Sequence, residues 1–507
     1  MQPVKKINII NFAKVLEEDK SEEVTFSIVE KTTSAISELN MSKNPFNIVM
    51  LMNIYENDNE FTVINEANVV ERFMELLLEK VNINESNIST FDFKNKEDFL
   101  ISIAKYMHEK DKYIISKYEF DNLINDFFQP FGLDATISKF DTLFFKKHIL
   151  VLNNNEVSFN HQFMLEYYIA KSFLKYGLPQ TIFENYNYLR YINELNYYSG
   201  ISRETTKIFR QIQSDLESII DKYKEDMKYT DNYQIKLPIK FVTPNKSLTI
   251  NEKSELTDKP DTSQKYNPNY YRKQNSSNKE ETIAEFPKEN FLSMLGIYAR
   301  LIRNMDYLLV DTKIKAITNC IISCCIILNE FFKYFRDLIT SIQEETKKEM
   351  NSDDYNDFNN FLTKIISMLQ MSMPIAIENF LFQHLGNRKL TLIFKDIKAH
   401  NQFNVMEYFF FSSLYLDLKA PQSYEIIKDF IKNTKDDSIL KLIYSKLMTI
   451  YMLTTSDYEE QNACNLLADL QTKQTHYTNK YSYLINEKNV IINELQNKKK
   501  EYLDSNN

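Results

Sequence analysis

Apolar residues recur at three- and four-residue intervals along most of the chain, which is the spacing of an α-helix that buries one face. In the helix predicted over residues 66–81, Val69, Phe73 and Leu77 share a face and Asn65 is in position to be the N-cap. The same pattern predicts further helices over residues 27–39, 45–55, 96–108 and 202–226. The sequence therefore predicts a mainly α protein.

The spacing changes from helical to alternating within residues 94–175. Three predicted helices, one of them introduced by the capping pair Ser116 and Glu119, precede the alternating segments 149–152 and 157–159. A helix that begins near Phe163 follows. Three helices, one small β-hairpin and a packing helix are the parts of a winged-helix domain, and we predict that fold here. A second candidate strand covers residues 7–12.

The apolar rhythm stops between about residues 244 and 288, where Asn, Ser, Lys, Glu and Pro predominate. This composition predicts a flexible polar linker. A second all-helical body is predicted after it. The predicted organisation is a helical domain (1–93), a winged-helix domain (94–175), a helical connector (176–243), the linker (244–288) and a C-terminal helical domain (289–507).

The low glycine content is the feature of the composition that excludes whole classes of function. The chain contains 5 glycines, whereas average usage corresponds to about 35 in this length. A Walker A loop needs two closely spaced glycines followed by Lys and Ser or Thr, so that backbone N–H groups can surround a phosphate. No two glycines here have that spacing, and no catalytic constellation stands out. We therefore expect that the chain is not an enzyme by itself.

Charge and cysteine content indicate the compartment and the partners. A formal net charge of −9 gives no overall attraction for nucleic acid or anionic lipid. Four cysteines are too few for a disulfide framework, which favours a reducing, cytoplasmic location. Cys320, Cys324 and Cys325 lie in the apolar stretch 316–328, which is too short to span a bilayer and is predicted to be a buried helix. Packed thiols are the favoured interpretation there, and a redox or metal role is the alternative. The six histidines are scattered, and no metal site is predicted.

One segment carries a more specific pattern. Residues 159–170, FNHQFMLEYYIA, contain Phe159, His161, then Glu166 followed by two tyrosines, and Ala170. This segment resembles the motif at the end of the winged-helix domain in NACHT-type STAND NTPases. Residues 44–51 resemble the helical-domain segment in which those proteins present a proline toward the nucleotide base, and residues 61–79 fit the helix that leads out of that domain. The similarity covers about residues 1–175.

The resemblance implies roles for two residues. His161 would contact the β-phosphate of bound ADP and help to hold the inactive state, and Pro45 would face the base. The P-loop and the acidic Walker B strand of the family are missing, so residues 1–93 would be the helical domain with a remnant of the edge of the NTPase core. ADP or ATP is then expected as a cofactor only with a separate core. The simpler interpretations are that His161 bonds locally beside the wing and that Pro45 starts a helix.

Three functions from different classes remain. The preferred one, implied by the resemblance, is the non-catalytic regulatory and sensor portion of a STAND-type signalling protein in bacterial anti-phage defence. Its partners would be proteins, namely the missing NTPase and effector part and a foreign protein ligand, and not a membrane. A helical scaffold or adaptor is the second. A nucleic-acid-binding winged-helix regulator is the third, although residues 94–175 contain as many acidic residues as lysines and no arginine lies between Arg72 and Arg190.

Overall fold

The computed structural model describes residues 22–39, 44–78, 93–131, 144–223, 290–349, 352–400, 403–420, 422–453 and 457–475, together with the single positions 41 and 492. This described part is mainly helical and contains a small three-stranded antiparallel sheet, which confirms the predicted fold class. The described residues fall into two compact units. The first contains residues 22–212 and 290–307, and the second contains residues 213–223 and 308–475.

The first unit contains most of the motifs that the sequence analysis identified. Its elements are α1 (Glu22–Glu38), α2 (Pro45–Asn57), α3 (Glu66–Leu77), α4 (Phe93–Glu109), β1 (Ile115–Ser116), α5 (Lys117–Phe128), β2 (Leu150–Asn153), β3 (Glu156–Phe159), α6 (Gln162–Tyr176), α7 (Ile192–Ile201), the first part of α8 (Thr206–Tyr223) and α9 (Phe291–Asn304).

Local side-chain chemistry sets where several of these helices begin. Asn44 caps α2, since its Oδ1 accepts from the backbone N–H of Asn47 at 2.7 Å. Asn65 caps α3 in the same way, as predicted. At the start of α5, Ser116 and Glu119 form the complete capping box that their spacing indicated. Each of these signals acts within one helical turn, so a linear pattern is enough to find it.

The sheet has β3 in its centre. β3 pairs antiparallel with β2, with Leu150 opposite Phe159, and with β1, with Ile115 opposite Val157. The β2–β3 hairpin was predicted, and its turn residues Asn154 and Asn155 have φ values of 52° and 63°, which asparagine tolerates well. β1 was not predicted, because two residues are too short to show an alternating pattern.

The second unit contains longer helices. They are the rest of α8, α10 (Val310–Glu349), α11 (Ser352–Leu385), α12 (Thr391–His400), α13 (Val405–Asp417), α14 (Ser423–Asn433), α15 (Asp437–Leu453) and α16 (Asp457–Thr475). The thiols of Cys320, Cys324 and Cys325 on α10 are buried and form no disulfide bond among the described residues, and burial raises the pKa of Cys320 and Cys324. This is the environment of packed, unreactive thiols.

The unit boundary differs from the predicted domain boundary at residue 289. Helix α9, the first helix after it, belongs to the first unit, where Asn304 Nδ2 donates to the backbone carbonyl of Asn196 at 3.0 Å. Helix α7, expected in a separate connector, belongs to that unit too. An amphipathic pattern shows that a helix packs but does not show against which neighbour. The predicted strand 7–12, the linker 244–288 and most of the predicted third helix of the winged-helix domain lie outside the described residues.

Two described helices are long and apolar enough, by length and composition alone, to cross a membrane. They run over Val310–Lys348 and Tyr355–Leu385. In the first helix, 61% of the most apolar 18-residue segment is buried inside the protein. In the second helix, 28% of the corresponding segment is buried. Buried core helices of soluble proteins meet the same criteria. In the second helix, Glu378 is held inside the protein by Lys446, at 2.6 Å.

Candidate functional site

The two residues singled out from the sequence lie at the beginnings of two helices. Pro45 is the first residue of α2, and its side chain is exposed. His161 is the N-cap of α6, where its backbone carbonyl accepts from the N–H of Met164 at 3.0 Å. Its imidazole forms no capping hydrogen bond. Both residues therefore sit where backbone N–H groups are still free of helical partners.

Phe46 brings these two helix starts together. Its ring centroid lies 4.7 Å from that of His161 and 4.8 Å from that of Phe163. Phe73 on α3 closes the group at 5.9 Å from Phe46. We call Phe46, Phe73, His161 and Phe163 the Phe46 cluster. The residue after Pro45 is thus in contact with His161, although the two are more than a hundred positions apart in sequence.

The electrostatic state of His161 follows from this contact. Its side chain is exposed as a whole, but partial burial of the ring lowers its pKa below the usual range. The imidazole is therefore mainly neutral at physiological pH, with one donor and one acceptor nitrogen. No residue in the described part of the chain forms a hydrogen bond with it. One nitrogen can donate to an outside anion.

Ion pairs hold α6 in place behind the cluster. The Lys171 ammonium lies 2.9 Å from Glu71 on α3 and 2.9 Å from Glu97 on α4. Lys171 and Glu97 are mostly buried, and the lysine, together with Lys94, lowers the pKa of Glu97 despite its burial. Because α6 is tied to two neighbouring helices, the position of His161 at its start is well defined.

The other residues of the 159–170 motif are part of the core. Tyr167, Tyr168 and Ala170 are buried. Glu166 is buried too and accepts hydrogen bonds from Gln162 at 2.8 Å and from Asn193 at 3.1 Å. Desolvation raises the pKa of Glu166 to about 7. The sequence analysis predicted no role for Glu166. Only its position within the 159–170 motif could have pointed to it.

The chemistry of this site is that of recognition. Among the described residues there is no group of three or more His, Cys, Asp or Glu side chains that could hold a metal ion. The Phe46 cluster offers aromatic faces, one neutral imidazole and two helix N-termini, which suit contact with a planar or anionic group.

No protein-family model, no curated protein and no solved structure matches this chain.

Proposed function

We propose that the chain is the non-catalytic regulatory and sensor portion of a STAND-type signalling protein, and that it works with a nucleotide-binding core that these residues do not provide. The observation that carries the proposal is the contact between His161 and Phe46. The resemblance assigned His161 and Pro45 to one nucleotide, and the structure places Phe46, the neighbour of Pro45, 4.7 Å from His161 between ring centroids.

The strand arrangement supports a winged helix before the motif. Helix α4, strand β1, helix α5 and the β2–β3 hairpin follow one another, and the spatial order of the strands is β1-β3-β2. A winged helix combines a hairpin with a first strand that pairs with the returning strand in this way. In the proposed winged helix, His161 comes two residues after the end of β3, so the β2–β3 hairpin would set its position.

In this proposal the Phe46 cluster closes one side of a nucleotide site. The neutral His161 imidazole donates a hydrogen bond to a phosphate oxygen of ADP, and the start of α6 adds the favourable field of a helix N-terminus. Pro45 and the exposed Val49, one turn later on α2, supply apolar surface for the base. The phosphate-binding loop belongs to the core, because the five glycines of this chain cannot form one.

The test is to purify the tagged chain with its natural assembly and to measure the nucleotide retained. We expect a P-loop NTPase in the assembly, bound ADP, and no micromolar ADP or ATP binding by residues 1–507 alone in calorimetry. His161→Ala should release ADP and raise basal signalling.

The matched variant is His161→Phe, which keeps the ring contact with Phe46 but removes the nitrogens. If the nitrogen contacts phosphate, His161→Phe loses ADP as His161→Ala does. Full ADP retention by His161→Phe, or an assembly with no P-loop protein and no nucleotide, would contradict the proposal.

A helical scaffold is the second candidate, and one observation favours it. Phe361 and Met368 on α11 are 59% and 66% exposed, and Tyr334 on α10 is 68% exposed. Where such side chains form one contiguous patch, they mark a protein-binding surface. A scaffold without a switch would keep its partners in His161→Ala and would contain no nucleotide.

No comparable observation favours nucleic-acid binding. Lys112 and Lys117, which could contact phosphates, form ion pairs with Glu119 and Asp121.

A further inference from the structure

A polar junction lies inside the first unit, away from the Phe46 cluster. It is formed by side chains of α3, α6, α7 and α9, and we call it the asparagine junction. Its members are Glu66, Glu166, Asn193, Asn196, Arg300 and Arg303. Arg303 is buried, and Arg300 is partly buried. Among the described residues, neither guanidinium forms a direct ion pair, although buried charges normally do.

An asparagine stands between each arginine and a carboxylate. Asn193 Nδ2 donates to Glu166 at 3.1 Å, and its Oδ1 accepts from Arg300 at 3.2 Å. One turn later on α7, Asn196 Nδ2 donates to Glu66 at 3.0 Å, and its Oδ1 accepts from Arg303 at 3.3 Å. The two bridges repeat the same order of carboxylate, amide and guanidinium. Through α7, the first bridge links α9 to α6 and the second links α9 to α3.

The carboxyl group of Glu166 is placed where a charge is costly. It is buried on α6, and after burial itself the nearby Glu166 charge further raises the pKa of Glu194, a buried carboxyl on α7. Desolvation, assisted by Glu66, raises the pKa of Glu166 to about 7, and the hydrogen bonds from Asn193 and Gln162 and the charge of Arg300 offset this only in part.

Several other titratable groups face Glu166, among them the phenol of Tyr197 on α7, which stays neutral because burial and the neighbouring carboxyl groups raise its pKa. On α3 the facing group is Glu66, on α7 it is Glu194, and on α9 it is Arg300. Helix α4 also packs against α6, but its Glu97 pairs with Lys171, one and a half turns along α6 from Glu166. The charges at the junction are thus those of three carboxyl groups and of two arginines that donate hydrogen bonds to Asn193 and Asn196.

We propose that the asparagine junction is a charge-gated joint: α9 stays docked on α7 while the Glu166 carboxyl holds a proton, and it opens more often when that carboxyl ionises. Opening of α9 admits water to Asn193 and Arg300 and so to the carboxyl bonded to Asn193. Water stabilises the ionised form, so ionisation favours the open state by linkage.

The size of the effect follows from the two protonation equilibria. The group has a pKa of about 7 when docked and an ordinary value near 4.5 when hydrated, so the opening constant rises about tenfold from pH 6 to pH 8. The opening constant must rise with pH. A carboxyl group whose pKa is raised in the closed state stabilises that state at low pH, and this stabilisation is lost as pH rises through the raised pKa.

Hydrogen exchange followed by mass spectrometry on the full chain measures this opening. Exchange rates of peptides from α9, corrected for the intrinsic pH dependence, should rise about tenfold between pH 6 and pH 8, while α4 and α5 in the same unit should change much less. An unchanged α9, or an equal rise throughout the unit, would overturn the proposal. The wild-type measurement alone is therefore decisive.

Variants identify the group responsible. Glu166→Gln together with Glu194→Gln keeps the side-chain sizes and should remove the pH dependence of α9. The matched control Glu97→Gln changes another buried carboxyl on a helix that packs on α6, and it should leave the tenfold rise intact. If the double variant keeps the rise, the junction carboxyls are not the gate and the proposal fails.

Discussion

Replacing Lys446 by methionine tests how the second unit holds a charge in its core. The Lys446 ammonium on α15 lies 2.6 Å from Glu378 on α11 and 2.6 Å from Asp417 on α13. The side chains of Lys446 and Glu378 are 8% and 0% exposed. Methionine has nearly the same length and volume, so Lys446→Met leaves little cavity and mainly removes the cation from two carboxyl groups.

The expected cost can be worked out from this geometry. Removing one partner of a buried ion pair costs about 3–5 kcal/mol, because the remaining charge has no counter-charge. Glu378 reduces this cost by holding a proton, since burial and Asp417 raise its pKa. We therefore expect a loss of about 3 kcal/mol, a large share of the roughly 5–15 kcal/mol that stabilises a domain.

The loss should depend on pH in a definite direction. A carboxyl group with a raised folded-state pKa stabilises the fold at low pH, and that contribution disappears as pH rises through the raised value. Lys446 lowers the pKa of Glu378 and so works against this effect. Lys446→Met should therefore lose more stability at pH 8 than at pH 6.

Urea unfolding followed by far-UV circular dichroism is the assay, since the chain contains no tryptophan to serve as a fluorescent probe. The control Lys441→Met also removes a mostly buried lysine, but its partner Asp437 on the same helix is 64% exposed, so the change should cost less than about 1 kcal/mol. Adding Glu378→Met to Lys446→Met should restore about 2 kcal/mol, because the pair is then replaced by apolar groups. A Lys446→Met variant within 1 kcal/mol of wild type, or a double variant that is less stable still, would refute the reasoning.

Local packing determines the expected outcome of three further experiments. His161→Ala should lower the stability of the isolated chain by less than about 1 kcal/mol in thermal melts, because its imidazole has no hydrogen-bond partner among the described residues; a loss above about 2 kcal/mol would make it a structural residue. Gly200→Ala should cost about 1–3 kcal/mol in urea unfolding, because its new Cβ would lie 2.7 Å from Ala67 Cβ; an unchanged midpoint would show that α3 and α7 separate easily. The four buried cysteines should react with a thiol reagent only as the chain unfolds, and fast labelling of the native protein would contradict their packing.

Features that depend on neighbours in sequence were determined by the sequence alone. The caps at Asn65 and Ser116 and the hairpin turn after Asn153 were predicted and are present. So was the burial of the thiols on α10, which an apolar helix implies. Hydrogen bonds within one helical turn and the burial of an apolar face need no knowledge of the partner, so a linear pattern is enough.

Features that depend on partners were decided by the tertiary structure. The sequence named His161 and Pro45 only through a resemblance, and the contact of Phe46 with His161 brings the beginnings of α2 and α6 together. Strand β1 forms because β3 provides a strand with which it pairs. Helix α9 is held in the first unit by hydrogen bonds that its arginines donate to Asn193 and Asn196. These contacts join residues about forty to more than a hundred positions apart. The periodicity of a helix or strand determines which face is apolar, but the partner of that face is selected by how the whole unit packs.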